Sequence, residues 1–214
     1  NGGIINSLKT NASLGAGEWS VIEADESDGS FLKFNNTIAI VSNIDREHMD
    51  YYKNFSNLTK QFKLFLNKTP LFGKNIVCLD DANIKKIIKE SPKKNFLTYG
   101  FDPRSDFVPT NIIYENMKIY FDLHVNIKKK FVIKKIQLNL MGRHNVLNAT
   151  AAIIASITLG ISIKKIKHTL KFFLGVQRRL TKVYESKRRI IFDDYAHHPT
   201  EIEAVLIACK SSFK

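Results

Sequence analysis

The stretch Ile38-Ala39-Ile40-Val41-Ser42-Asn43 decides the reading of the fold. Four apolar residues, three of them β-branched, end abruptly in polar ones, as a strand buried on both faces of a parallel sheet does. Downstream, Leu58, Phe62, Phe65 and Leu66 recur at i, i+4, i+7 and i+8, the stripe of an amphipathic helix. Residues 76–79 are a second short buried run, and Ile84, Ile87 and Ile88 give a helical stripe stopped by Pro92. Upstream, residues 21–24 read as another strand of the same kind. Strand and helix alternate, which predicts an α/β chain with a mostly parallel sheet flanked by helices.

The period then changes. Met117, Ile119, Phe121, Leu123 and Val125 alternate with polar residues, a strand with one wet face. A Lys-rich turn follows, then Phe131, Ile133, Ile136, Leu138 and Leu140, with Lys134-Lys135 breaking phase like a bulge. This predicts an antiparallel hairpin appended to the parallel sheet. Residues 146–159 are apolar on nearly every face and read as a buried helix closed by Gly160. Ile163, Ile166, Leu170 and Phe173 mark the next helix, ended by Gly175. Residues 189–192 read as a strand, and Pro199 stands as the first residue of a helix carrying Ile202, Val205, Leu206 and Cys209. The expected organisation is one α/β domain over 1–176 and the opening of a second over 177–214. Both ends, Asn1 and Lys214, read as cut from something longer.

Composition narrows the classes. Of 214 residues 44% are hydrophobic and 25% charged, which excludes a disordered chain. No run reaches the roughly 18–20 apolar residues of a membrane span, so membrane insertion is not expected. Cys78 and Cys209 lie far apart in apolar stretches, which excludes a disulfide scaffold and suits buried thiols in a reducing compartment. The net charge is +13, yet 26 of the 33 basic residues are Lys, spread along the chain. Nucleic-acid sites cluster Arg and Lys with exposed aromatics. The charge therefore reads as solvated surface, with Lys128, Lys129 and Lys130 in a turn and Lys134-Lys135 on a strand face, and no nucleic-acid partner is expected.

Four clusters carry chemistry. Glu23-Ala24-Asp25-Glu26-Ser27-Asp28 puts four carboxylates at a strand end, where open α/β sheets bind ligands. Asn43-Ile44-Asp45-Arg46-Glu47-His48-Met49-Asp50 follows the deciding strand, and carboxylate with neutral imidazole is a plausible shell for a divalent ion. In Gly142-Arg143-His144-Asn145-Val146-Leu147-Asn148, Asn145 and Asn148 share a helix face and could bracket a purine edge, although Asn145 could equally cap the helix. Arg178-Arg179 suits a phosphate clamp, and Asp193-Asp194-Tyr195-Ala196-His197-His198-Pro199 again occupies a strand end before a helix. Gly73-Lys74 is a decoy, because Asn75 follows it and no glycine-rich run precedes it.

In this order the clusters resemble the Mur ligases, which build the peptidoglycan stem peptide. The residues carrying the likeness are 23–31, 43–50, 142–149, 178–179 and 193–201, with Asn1-Gly2-Gly3 and Leu14-Gly15 also fitting the family's central domain. His-Met-Asp at 48–50 and His-His-Pro at 197–199 favour the alanine-adding branch over the tripeptide-recycling branch. The resemblance implies a Rossmann-like last domain and ATP-driven amide formation. UDP-N-acetylmuramate and L-alanine would be the substrates, joined through an acyl phosphate in a bacterial cytoplasm. It assigns Glu23 and His48 to Mg²⁺, Asn145 and Asn148 to adenine with His144 beside them, and Arg179 to nucleotide phosphate. Asp194 would position Arg179 or the nucleotide, and His197 and His198 would face the amino acid. The family's phosphate-binding Gly-Lys-Thr/Ser loop is not among these residues, so the chain alone is expected to be inactive. Oligomeric state has no signature. A degenerate nucleotide-binding module and a basic nucleic-acid-binding protein are the competing readings, and neither explains the ordered motifs.

Overall fold

The structure is a computed structural model and describes residues 2–91 and 95–213. Strands β1 (Ile38–Val41), β2 (Lys74–Cys78), β3 (Phe96–Tyr99) and β4 (Phe107–Glu115) pair in that order, all parallel. β5 (Lys118–Val125) and β6 (Phe131–Leu138) continue as an antiparallel meander, completing a six-stranded sheet. β7 (Thr181–Glu185) and β8 (Ile190–Asp193) form a separate antiparallel pair. The helices are α1 (Met49–Tyr52), α2 (Phe55–Lys68), α3 (Ala82–Glu90), α4 (Arg143–Thr158), α5 (Ile163–Phe172) and α6 (Pro199–Ser212).

Apolar runs become central strands because both sheet faces are covered. Ile76 and Val77 point to opposite faces, and both are fully buried. Leu58, Phe65 and Leu66 of α2 join Ile84 and Ile87 of α3 and Val146, Ile153 and Ile154 of α4 in one core. Side-chain caps fix the starts of three helices: Asn54 accepts from Asn57 N, Asp81 from Ile84 N and Ser162 from Lys165 N. Gly160, at φ 76°, follows the end of α4 as expected. The bulge at Lys134-Lys135 is also present. Register shifts opposite Asp122, Lys135 takes a left-handed φ of 54°, and its N–H donates to Asp122 Oδ1 at 2.7 Å.

Three expectations change. Residues 21–24 form no strand: Val21 is 93% exposed, and no described strand pairs with them. The expected antiparallel hairpin is present as β5 and β6, and β4 pairs along β5 to extend it into a meander. Cys78 is buried, and burial pushes its thiol up to about 11, but Cys209 is only half-buried. Asn145 does not cap α4, since that position belongs to Gly142. The stop at Pro92 lies outside the described residues. Gly73-Lys74 leads into β2 rather than a helix, where a Cβ on Gly73 would strike Thr37 O.

Candidate functional site

At the carboxyl end of β1 the chain enters a loop that α3 holds in place. Asp81 Oδ2 accepts from Ile44 N at 3.3 Å, and Asn83 Nδ2 donates to Ile44 O at 3.0 Å. The loop ends at His48, whose φ of 56° and ψ of 36° are left-handed. A non-glycine residue there costs about 1–3 kcal/mol, so the surrounding contacts must hold it. His48 O in turn accepts from Tyr51 N and Tyr52 N, both at 3.0 Å.

This backbone points His48 Nε2 at Glu26 Oε1, 3.5 Å away, and Glu47 Oε2, 3.8 Å away. One ligand atom from each of Glu26, Glu47 and His48 lies within 4.8 Å of the others. Two carboxylates and a neutral imidazole fit a divalent ion that takes further ligands from phosphate and water. Tyr52 Oη donates to Glu26 O and so anchors the acid-rich turn; burial pushes that phenol up to about 12. The other acids of the turn are used locally. Asp25 accepts from Ser27 N and Asp28 from Ser30 N, both at 2.8 Å; the Ser27 backbone and then its hydroxyl hold the first carboxyl below its usual range, and the Ser30 hydroxyl and then its backbone hold the second. Glu23 is exposed and accepts from Gly2 N, outside the group around His48.

A cleft of about 1240 Å³ opens from His48. Glu26, Glu47 and His48 line one part of it, and His144, Asn145 and Asn148 of the first turns of α4 line another. Asn148 Nδ2 donates to Asn145 Oδ1 at 3.4 Å, so the two amides do share a face, while Asn145 Nδ2 donates to Met141 O at 2.7 Å. Burial lowers the His144 imidazole, a shift that Asp194 opposes.

The remaining wall comes from residues after 177. Asp194 accepts from Leu180 N at 2.7 Å and Ala196 N at 2.8 Å, fixing the backbone beside Arg179. Arg179 Nη1 donates to Glu201 Oε1 at 3.4 Å. Burial pushes the Glu201 carboxyl up, but the His197 amide and the Arg179 guanidinium outweigh it and hold the group below its usual value. Thr200 Oγ1 donates to Asp45 Oδ2 at 2.8 Å, and His198 Nδ1 sits 3.7 Å from Glu47 Oε1. That His198 nitrogen is buried without a hydrogen-bond partner. Arg46 N and then Thr200 depress the Asp45 carboxyl.

The cleft thus gathers His48, His144, Asn145, Asn148, Arg179, Asp194 and His198 from the sequence reading. It leaves out Glu23 and His197, the latter exposed with its ring against Tyr195. Sequence reasoning did not single out Glu26, Glu47, Asp45, Thr200 and Glu201 as site residues. The first three lie in the acidic clusters already noted and the last two close the 193–201 stretch, but nothing local pairs Thr200 with Asp45, 155 positions away.

The model of the Mur ligase middle domain matches residues 4–156. Over its whole length the chain is 47% identical to the UDP-N-acetylmuramate–L-alanine ligase of Pelagibacter ubique, of which it covers 47%. It is 43% identical to the ligase of the same name from Bartonella henselae, again over the whole chain and 46% of that relative. The solved structure of the UDP-N-acetylmuramate-alanine ligase MurC of Thermotoga maritima matches with a TM-score of 0.82 at 25% identity, over 99% of this chain and 47% of that one. The MurF ligase of Thermotoga maritima in complex with ADP shares the fold, with a TM-score of 0.70 at 17% identity over 86% of this chain and 41% of that one. The chain spans about half the length of the curated relatives it matches. Motif order, sheet topology and a match over most of the chain agree: the chain belongs to the Mur ligase family.

Proposed function

We propose that this chain forms the nucleotide-binding centre of an ATP-dependent ligase joining L-alanine to the carboxylate of UDP-N-acetylmuramate. One observation carries the reading: side chains from the β1 loop, the start of α4 and the stretch from Arg179 to Glu201 line a single cleft. Relatives along the whole chain bear that ligase's name. Residues 1–176 serve as the central ATP-binding domain, and 177–214 open the domain that brings the amino acid. The muramate carboxylate takes the γ-phosphoryl group of ATP, the alanine amine attacks the resulting acyl phosphate, and phosphate leaves. A cytoplasmic setting accords with two free cysteines.

The residues divide the work. His48 and its acidic neighbours hold Mg²⁺, which when bound neutralises charge developing on the transferring phosphate. The resemblance assigns the acid to Glu23, whereas the geometry favours Glu26 and Glu47. Asn145 and Asn148 read the adenine edge beside His144. Arg179 reaches phosphate from backbone that Asp194 holds, and His198 faces the incoming amine, with His197 behind it.

The test is ADP release by the full-length protein given UDP-N-acetylmuramate and ATP. Release that requires L-alanine supports the reading. Turnover with a tripeptide in its place moves the protein to the recycling branch. Magnesium–ADP binding without turnover leaves a nucleotide-binding remnant.

A further inference from the structure

The charge is less evenly spread than the lysines are. Between Asp122 and Glu185 the chain has no carboxylate, while it carries ten lysines and three arginines. That tract alone accounts for the whole net charge of +13, and the other 20 basic residues match the 20 acids. Much of it folds into one surface, where α5 lies along β6 and Lys167 Nζ donates to Lys134 O at 2.7 Å.

The periodicity of α5 sorts its faces. Ile166 is buried, and Leu170 packs partly against the core. On the opposite side Lys164, Lys165, His168, Lys171 and Phe172 point outward. Phe172 is 57% exposed, with the His168 ring 4.8 Å from its own and Lys171 Nζ 5.6 Å from its centroid. None of Lys164, Lys165 and Lys171 has a carboxylate partner among the described residues. Asp122, facing β6, is already held by Asn111 and by Lys135 N.

We propose that this face of α5 and β6 docks on an anionic phospholipid surface. Compact lysine charges without arginine forks suit diffuse attraction to a charged leaflet better than bidentate recognition of a nucleic acid. An exposed phenyl ring between the lysines can enter the headgroup layer. The proposed contact is peripheral, as no helix among the described residues is long and apolar enough to cross a membrane.

Co-sedimentation of the full-length protein with vesicles tests the assignment. Vesicles of equal parts phosphatidylglycerol and phosphatidylcholine should bind it at about 0.1 M salt, where the Debye length is ~10 Å, and pure phosphatidylcholine should not. K164Q/K165Q/K171Q should weaken that binding about fivefold per lysine, on the order of a hundredfold in all. K60Q/K86Q/K89Q removes the same charge from α2 and α3 and should leave binding intact. Absent vesicle binding, or equal loss in both triple variants, overturns the proposal. So does lysine-dependent binding to single-stranded DNA with none to vesicles.

Discussion

Residues 21–24 and β1 are the same kind of sequence with different fates. Both are short, rich in β-branched residues and followed by an acid-rich turn. β1 pairs with β2 from Ile38 opposite Lys74 to Val41 opposite Val77, and it buries Ala39 and Val41. Residues 21–24 have no strand beside them among the described residues, and Val21 and Ile22 stay exposed. An apolar run becomes a strand only where a neighbour completes its hydrogen bonds and covers its side chains. The difference reaches the site. His48 follows the anchored strand and meets its partners, while Glu23 lies within the unanchored run and meets Gly2 instead.

The largest expected effect breaks this contrast directly. His48→Ala in the full-length protein should lower turnover on the order of a thousandfold, the several kcal/mol that ion-held charge stabilisation supplies. Glu26→Ala and Glu23→Ala then compete. A deep loss in Glu26→Ala with a mild one in Glu23→Ala supports the local geometry, and the reverse supports the family resemblance. Near-normal rates in all three variants would remove the metal assignment altogether.

Stability should separate the two runs next. Ile76→Ala, opposite β1 in the sheet, should cost about 2–5 kcal/mol. Ile22→Ala should stay within about 0.5 kcal/mol, as exposed substitutions do. Urea unfolding midpoints of the 214-residue chain measure both. An Ile22→Ala loss as large as that of Ile76→Ala would mean that residues 21–24 are buried in solution.

How far the sequence was legible follows the same rule. β1, β2, α2 to α6 and the bulge at Lys134-Lys135 stood out because burial imposes a pattern; β3, only half-buried before Tyr99, did not. β4 did not, since Pro109 and the left-handed Asn111 interrupt it. Proline is tolerated there because β3 pairs with β4 only at Tyr99 and Phe107, leaving the rest of that edge unpaired by β3. β7 is mostly exposed and carries no apolar pattern. The cleft-lining clusters were visible as clusters. The Asp45–Thr200 bond was not, because it depends on where α6 comes to rest.

That resting place gives a smaller prediction. Gly142 has a φ of 93°, and a Cβ there would lie 2.5 Å from His144 Cε1 and 2.9 Å from Ala208 Cβ. Gly142→Ala should therefore cost about 1–3 kcal/mol and loosen α6 from α4. Hydrogen exchange of the α6 amides reads this, and unchanged protection in α6 would show that the close approach to Ala208 is absent.

The smallest effect reports on the same contact through pH. Burial lowers the His144 pKa below its ordinary 6.5, with Asp194 opposing and Arg179 assisting. The folded chain thus keeps this imidazole neutral at a pH where the unfolded chain takes up a proton. The unfolded state binds more protons, so stability falls as pH drops through about 6.5 and levels off below the folded value. Asp45 acts lower on the scale, since its depressed carboxyl adds stability above the unfolded value of 3.8 that is lost as pH falls through the folded one. The two windows are separate, and the difference between wild type and His144→Gln from about pH 7 to 5 isolates the histidine. A flatter curve in the variant means that the wall after residue 177 covers His144 in solution. Parallel curves would mean that it stands away, and that the cleft closes only when something else draws the two walls together.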